Sequence, residues 1–150
     1  MNIEKLIKDL EVDEGCKFEL YNDHLGYKTF GIGHLVREDE PEWELPIGTP
    51  VSQDRVREAF ERDLDTVRLD CLKLYPNFNE LPDEAQLIIA NMMFNLGLPR
   101  LSAFKLMKAA VDAGEWDEAA NQMEQSRWYR QVQNRADRLV ERMRLLAVPI

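Results

Sequence analysis

The sequence predicts an α+β fold, mostly helical, with a small sheet near the N-terminus, and three observations carry that reading. Apolar residues recur at i, i+3, i+4 and i+7 in the first turns of the chain and in several runs beyond Ser52, the spacing of helices with one buried face. Over residues 17–34 the pattern changes to β-formers broken by Gly26, Gly31 and Gly33. Residues 85–96 are apolar nearly all round, as in a helix enclosed by others. At 150 residues, 45% of them hydrophobic, the chain can bury one core and is short for two independent domains. A single bilobal domain is expected. The small lobe takes in residues about 15–60, and the helical lobe residues about 70–150 together with the N-terminal helix. A long helix joins them, and a groove between the lobes is the natural place for a site.

Asn2 is placed to cap a first helix with Ile3, Leu6, Ile7 and Leu10 on one face. At about 100° per residue, Glu14 returns to within roughly 20° of Ile3, so a carboxylate ends the buried stripe. Gly15 closes the helix. Phe18, Leu20, Tyr21, Tyr27, Thr29, Phe30 and Ile32 then predict two or three short antiparallel strands around the turn Asn22-Asp23-His24. Residues 35–51 hold five acids between Glu38 and Glu44, with Pro41, Pro46 and Pro50, and read as an exposed loop. Ser52 is placed to cap a long helix carrying Val56, Phe60, Leu64, Val67 and Cys71 on one face, and Asp63 falls on that same face. Pro82 suits the first turn of the enclosed helix, which Gly97 ends. Further helices are expected over 102–113, 116–125, 127–131 and, capped by Asn134, 135–146.

The net charge of -9 argues against a nucleic-acid partner, since phosphate binding needs clustered Lys and Arg. The charge is uneven: residues 1–70 have 9 basic and 18 acidic side chains, 71–125 have 4 and 8, and 126–150 have 6 and 2. A basic C-terminal segment on an acidic protein reads first as a helix face answering the acidic lobe. Cys16 and Cys71 lie far apart without a C-x-x-C or Cys/His ligand spacing. They are therefore expected as reduced, packed thiols rather than a disulfide or zinc site. His24 and His34 belong to no ligand cluster, so no metal and no cofactor is expected. No run approaches the roughly 20 apolar residues of a membrane span, and MNIEKLIKDL has charges where a signal peptide has its apolar run. The protein is expected to start in the cytosol and not to insert into a membrane.

Glycoside hydrolysis needs one carboxyl group that stays protonated and a second that stays ionised, on either side of the scissile bond. Glu14, on an apolar helix face where desolvation favours the neutral acid, and Asp23, in a polar turn, suit those roles. With 28 acids in the chain, a helix-terminal Glu is also commonly a capping or salt-bridging group. The string DEGCKFELYNDHLGYKTFGIGH from Asp13, in which Glu14, Asp23 and Thr29 are spaced by eight and then five intervening residues, narrows the choice. With ANMMFNLG from Ala90, EWDEAANQMEQSRWY from Glu115 and NRADR from Asn134, it resembles the phage lysozymes of glycoside hydrolase family 24 over nearly the whole chain.

The resemblance implies a lysozyme-like fold and an endolysin. Such a muramidase hydrolyses, with inversion, the β-1,4 bond between N-acetylmuramic acid and N-acetylglucosamine of bacterial peptidoglycan. It assigns Glu14 as general acid, Asp23 as the group that activates the water and stabilises the transition state, and Thr29 as the residue that holds that water. Thr29 also suits an ordinary strand residue with a cross-strand partner. His34 and Asp63 would form a partly buried structural ion pair. Arg135 would reach back to the helix of Glu14 and tune its charge state, or stand as one more exposed arginine. Leu35 and Phe94 match glycan-contact positions, although either is also a candidate for the core. Gln122 matches another and can still hydrogen-bond through its amide, whereas Met107 departs from the family's polar residue. The resemblance further implies a monomer held in the host cytoplasm before lysis, acting on the wall from the periplasm once a separate protein permeabilises the membrane. Two other readings stay open: a lytic transglycosylase on the same scaffold, and a peptidoglycan-binding module without activity.

Overall fold

In the computed structural model, which describes residues 1–149, the fold is α+β and mostly helical, with one three-stranded antiparallel sheet near the N-terminus. Chain contacts divide it into two units, Glu4–Thr66 and residues 1–3 with those from Val67 onward. By that grouping nearly all of the first helix counts with the sheet, where the sequence had assigned it to the helical lobe.

The first unit opens with α1 (Ile3–Glu14). Leu6 and Leu10 are fully buried and Glu14 is half-buried at the end of the same stripe. Strands β1 (Lys17–Asn22), β2 (Lys28–Gly31) and β3 (His34–Leu35) follow. Tyr21 stands opposite Thr29, and Thr29 in turn opposite Leu35, while Phe30 stands opposite His34. Because side chains alternate along a strand, this register puts Tyr21, Thr29 and Leu35 on one face and Leu20, Phe30 and His34 on the other. The second face is the apolar one: Leu20 and Phe30 pack with Val36, Val51, Val56 and Ala59. Residues 48–51 run along the outer edge of β1, where the Leu20 N–H donates to the Thr49 carbonyl at 2.9 Å and the Val51 N–H to the Phe18 carbonyl at 2.9 Å.

The acidic segment corrects the expectation of an exposed loop. Glu40 and Glu42 are 8% and 7% exposed, and a 3-10 turn spans Pro41–Glu44. Lys28 sits at the end of that turn, its Nζ donating to the carbonyls of Trp43 at 2.6 Å and Leu45 at 2.5 Å, where a cation meets the negative end of the turn's dipole. The Ser52 hydroxyl accepts the Arg55 N–H at 3.1 Å and so caps α2 (Gln53–Leu74). Val56, Phe60, Leu64, Val67 and Cys71 are all buried along one face of that helix.

In the second unit, α3 (Asp83–Leu96) is buried nearly all round, and α4 (Leu98–Ser102), α5 (Lys105–Asp112), α6 (Trp116–Glu124), α7 (Arg127–Gln131) and α8 (Gln133–Leu145) surround its core. Helix α6 packs against both α5 and α8. Two boundaries differ from expectation. The expected helix from residue 102 is split: a short helix with Pro99 in its first turn precedes it, and α5 begins only at Lys105. Asn134 does not cap α8, which starts at Gln133, two residues earlier than expected, after Val132 and with no side-chain cap. Both cysteines are free; Cys71 is buried, with its thiol pushed up to about 12 by desolvation and then by Asp70, but Cys16 is exposed rather than packed. Among the described residues, no helix is long and apolar enough to cross a membrane.

Candidate active site

The polar face of the sheet carries the candidate chemistry. Its turn, residues 23–27, is tied by the Asp23 N–H to the Tyr27 carbonyl at 2.9 Å and the Gly26 N–H to the Asp23 carbonyl at 3.0 Å. Asp23 Oδ1 accepts the Leu25 N–H at 2.9 Å and the Tyr27 N–H at 2.8 Å, an Asx-type arrangement that fixes the carboxylate on its own backbone. The Thr29 hydroxyl donates to the Tyr27 carbonyl at 2.9 Å. One peptide segment thus orients both side chains. Thr29, 3% exposed, has its hydrogen committed and keeps oxygen lone pairs to accept with. Its partner is the backbone two residues away, not a residue across the sheet.

Glu14 reaches this unit from the end of α1. A Cβ added at Gly33 would lie 2.5 Å from Glu14 Oε2 and 2.9 Å from its Cδ, so the carboxyl group rests on a bare α-carbon. Gly33 has φ +61, a conformation that other residues adopt only with strain. The Gly31-Ile32-Gly33-His34 turn therefore leaves room for the acid while delivering His34 to the opposite face.

On that opposite face, His34 Nδ1 lies 2.7 Å from Asp63 Oδ2, and His34 Nε2 lies 2.9 Å from both Glu40 oxygens. Burial by itself favours neutral imidazole, but the Asp63 and Glu40 carboxylates outweigh it and raise the His34 pKa above the ordinary 6.5. Glu40 also accepts the Arg37 N–H at 2.8 Å and Arg55 Nη2 at 2.7 Å. Arg55 grips Glu42 with two bonds of 2.9 Å and lies 5.4 Å from the Phe30 ring centroid. Burial disfavours the charged Glu40, yet the Arg37 N–H and His34 hold its pKa below the ordinary 4.5; hydrogen bonding by Arg55 does the same for Glu42.

The remaining predicted residues separate. Leu35 is 53% exposed, so it is not core. In the second unit Phe94 is half-buried, Met107 is fully packed, and Gln122 donates its amide to Glu118 Oε1 at 2.7 Å. Arg135 is 7% exposed, which excludes the exposed alternative; its Nε donates to Asn91 Oδ1 at 2.8 Å. Sequence reasoning missed three participants: Glu40 as the second partner of His34, Asn91 as the holder of Arg135, and Asn95, whose Oδ1 accepts Trp128 Nε1 at 2.7 Å. A signal for the last two exists: Asn91 and Asn95 are amides four residues apart in an otherwise apolar helix, a place where polar groups need partners. Glu40 had none, being one of five acids in a short run.

The phage lysozyme family model matches residues 11–144. The chain is 32% identical to a probable T4-type lysozyme of Dictyostelium discoideum, over 89% of this chain and 91% of that protein. It is 30% identical to the pre-baseplate central spike protein Gp5 of Enterobacteria phage T4, over 87% of this chain and 26% of that protein. It is 25% identical to the peptidoglycan hydrolase gp36 of Pseudomonas phage phiKMV, over 91% of this chain and 15% of that protein. The chain belongs to the phage lysozyme family and is a glycoside hydrolase of that family.

Proposed function

We propose that this enzyme is a muramidase that hydrolyses the β-1,4 bond between N-acetylmuramic acid and N-acetylglucosamine in bacterial peptidoglycan, with inversion, in the service of host lysis. The observation that carries the reading is the shared anchoring of Asp23 and Thr29 on the Tyr27 backbone, in the same unit as a Glu14 carboxyl seated on Gly33. Glu14 donates the proton to the leaving oxygen. Asp23, with one oxygen tied to two backbone N–H groups, is suited to orient a water and take its proton. The Thr29 oxygen accepts a hydrogen bond from that water. Attack by a water on the face opposite the leaving group inverts the anomeric centre. Leu35 offers the sugar exposed apolar surface, and Phe94 and Gln122 are further glycan contacts in this reading. His34, Asp63 and Arg135 are structural or tuning residues.

The test compares native protein with Glu14→Gln on purified peptidoglycan, both confirmed as folded. Native protein releases fragments ending in reducing N-acetylmuramic acid, first seen as the α-anomer by NMR, and Glu14→Gln loses at least about a hundredfold in rate. Equal cutting by the folded variant refutes the acid assignment, anhydro-sugar ends replace hydrolysis with transglycosylation, and an initial β-anomer replaces inversion with retention.

A further inference from the structure

The row of side chains across the sheet has a member with no role so far. Tyr21 stands opposite Thr29, as Leu35 does from the other side, so Tyr21, Thr29 and Leu35 line one face within cross-strand contact distance. Tyr21 is half-buried, and Lys17 Nζ lies 4.3 Å from its ring centroid, a cation–π contact that holds the plane of the ring. Burial, followed by the charges of Glu14 and Asp23, raises the phenol pKa above the ordinary 10.0. The hydroxyl is thus a neutral donor throughout the working range, in the field of both carboxylates. Among the described residues no protein group accepts its hydrogen bond. A fixed phenol beside Thr29 with a free O–H is suited to a polar ligand on this face.

We propose that Tyr21 is a substrate-contact residue, its phenol O–H donating a hydrogen bond to an oxygen of the sugar bound over the Thr29 face, with Lys17 holding the ring for it. The proposal rests on the muramidase reading for the identity of the ligand. Glu14 and Asp23 perform the chemistry, and Tyr21 selects and seats a sugar with an acceptor at that position.

Tyr21→Phe keeps the ring and the Lys17 contact and removes only the hydroxyl. It is expected to lower kcat/KM on soluble peptidoglycan fragments about tenfold, leaving Tm and the pH dependence of the rate unchanged. It is also expected to weaken the binding of a chito-oligosaccharide of N-acetylglucosamine by a similar factor, measured by titration calorimetry or NMR. Lys17→Met should show a smaller loss in both. A full rate in Tyr21→Phe overturns the proposal. So does a displaced pH profile, because the phenol would then be acting on the carboxylates rather than on the sugar. If native protein fails to cut peptidoglycan, the muramidase reading fails by itself and the titration still decides: weaker binding by Tyr21→Phe supports the contact. Equal affinity, or no binding by either protein, refutes it.

Discussion

Tyr27 contributes its backbone rather than its side chain: its N–H goes to Asp23 and its carbonyl takes the Thr29 hydroxyl. Asp23 and Thr29 therefore hang from a tight turn, and the geometry depends on the backbone at position 27, which any residue with an N–H supplies and proline does not. Position 33 is the opposite case. A methyl group there would meet the Glu14 carboxyl at 2.5 Å, and because that carboxyl is the far end of a flexible side chain, the acid moves and the backbone stays. With Glu14 as the proposed acid, Gly33→Ala is expected to lower the hydrolytic rate about a hundredfold, the cost of roughly 1 Å of misplacement at a reacting group. Left-handed strain removes about 1–2 kcal/mol of stability in addition. Gly114→Ala is the control: it has φ +69 and nothing within 4 Å of the added carbon, so chemical denaturation should show a similar loss of stability with the rate unaffected. Equal rate losses in the two variants would refute the steric account.

At the scale of elements, the acidic segment, β3 and α2 are joined by His34, Glu40, Glu42, Arg55 and Asp63. The imidazole has a raised pKa, so its contribution is complete below the ordinary value of 6.5 and is lost as pH rises through the higher folded value. Glu40 and Glu42 have lowered pKa values, so theirs is complete above 4.5 and is lost as pH falls through the lower folded values. From these groups, stability is expected to be greatest between pH 4.5 and 6.5, with a decline on each side, measurable as Tm against pH. His34→Gln should lose about 3 kcal/mol at pH 6, since it strips a cation from buried carboxylates. It should also flatten the alkaline decline. A variant that keeps that decline would assign it to another group. Glu40→Gln should make the acid decline shallower, leaving the part due to Glu42, and cost less, because Arg55 still pairs with Glu42.

At the scale of the whole molecule, a net charge of -9 meets a wall polymer that is itself anionic through the free carboxylates of its peptides. Long-range repulsion slows encounter until salt screens it, and the Debye length shrinks from about 30 Å at 0.01 M to about 8 Å at 0.15 M. The initial rate on purified peptidoglycan is therefore expected to rise over that range, and a rate that falls steadily from the lowest salt would refute the repulsion account.

The sequence by itself determined the elements whose cause is local. The 3.6-residue stripes of α1 and α2, the Ser52 cap, the all-round apolarity of α3 and the glycine-broken strands are each written within one short window, and the structure has them. Glu14, Asp23 and Thr29 became candidates through a string that resembles the phage lysozyme family, and they lie on a helix end, a turn and a strand that follow one another along a single stretch of chain. Tertiary structure alone decided what depended on distant partners. Whether an acid in the 38–44 run faced water or His34 was set by Arg55 and β3, and Arg135 was buried because Asn91 accepts from it. Periodicity records which side of an element is apolar. It does not record which polar group finds a partner, because burying a charge is tolerable only where another part of the chain supplies its hydrogen bonds.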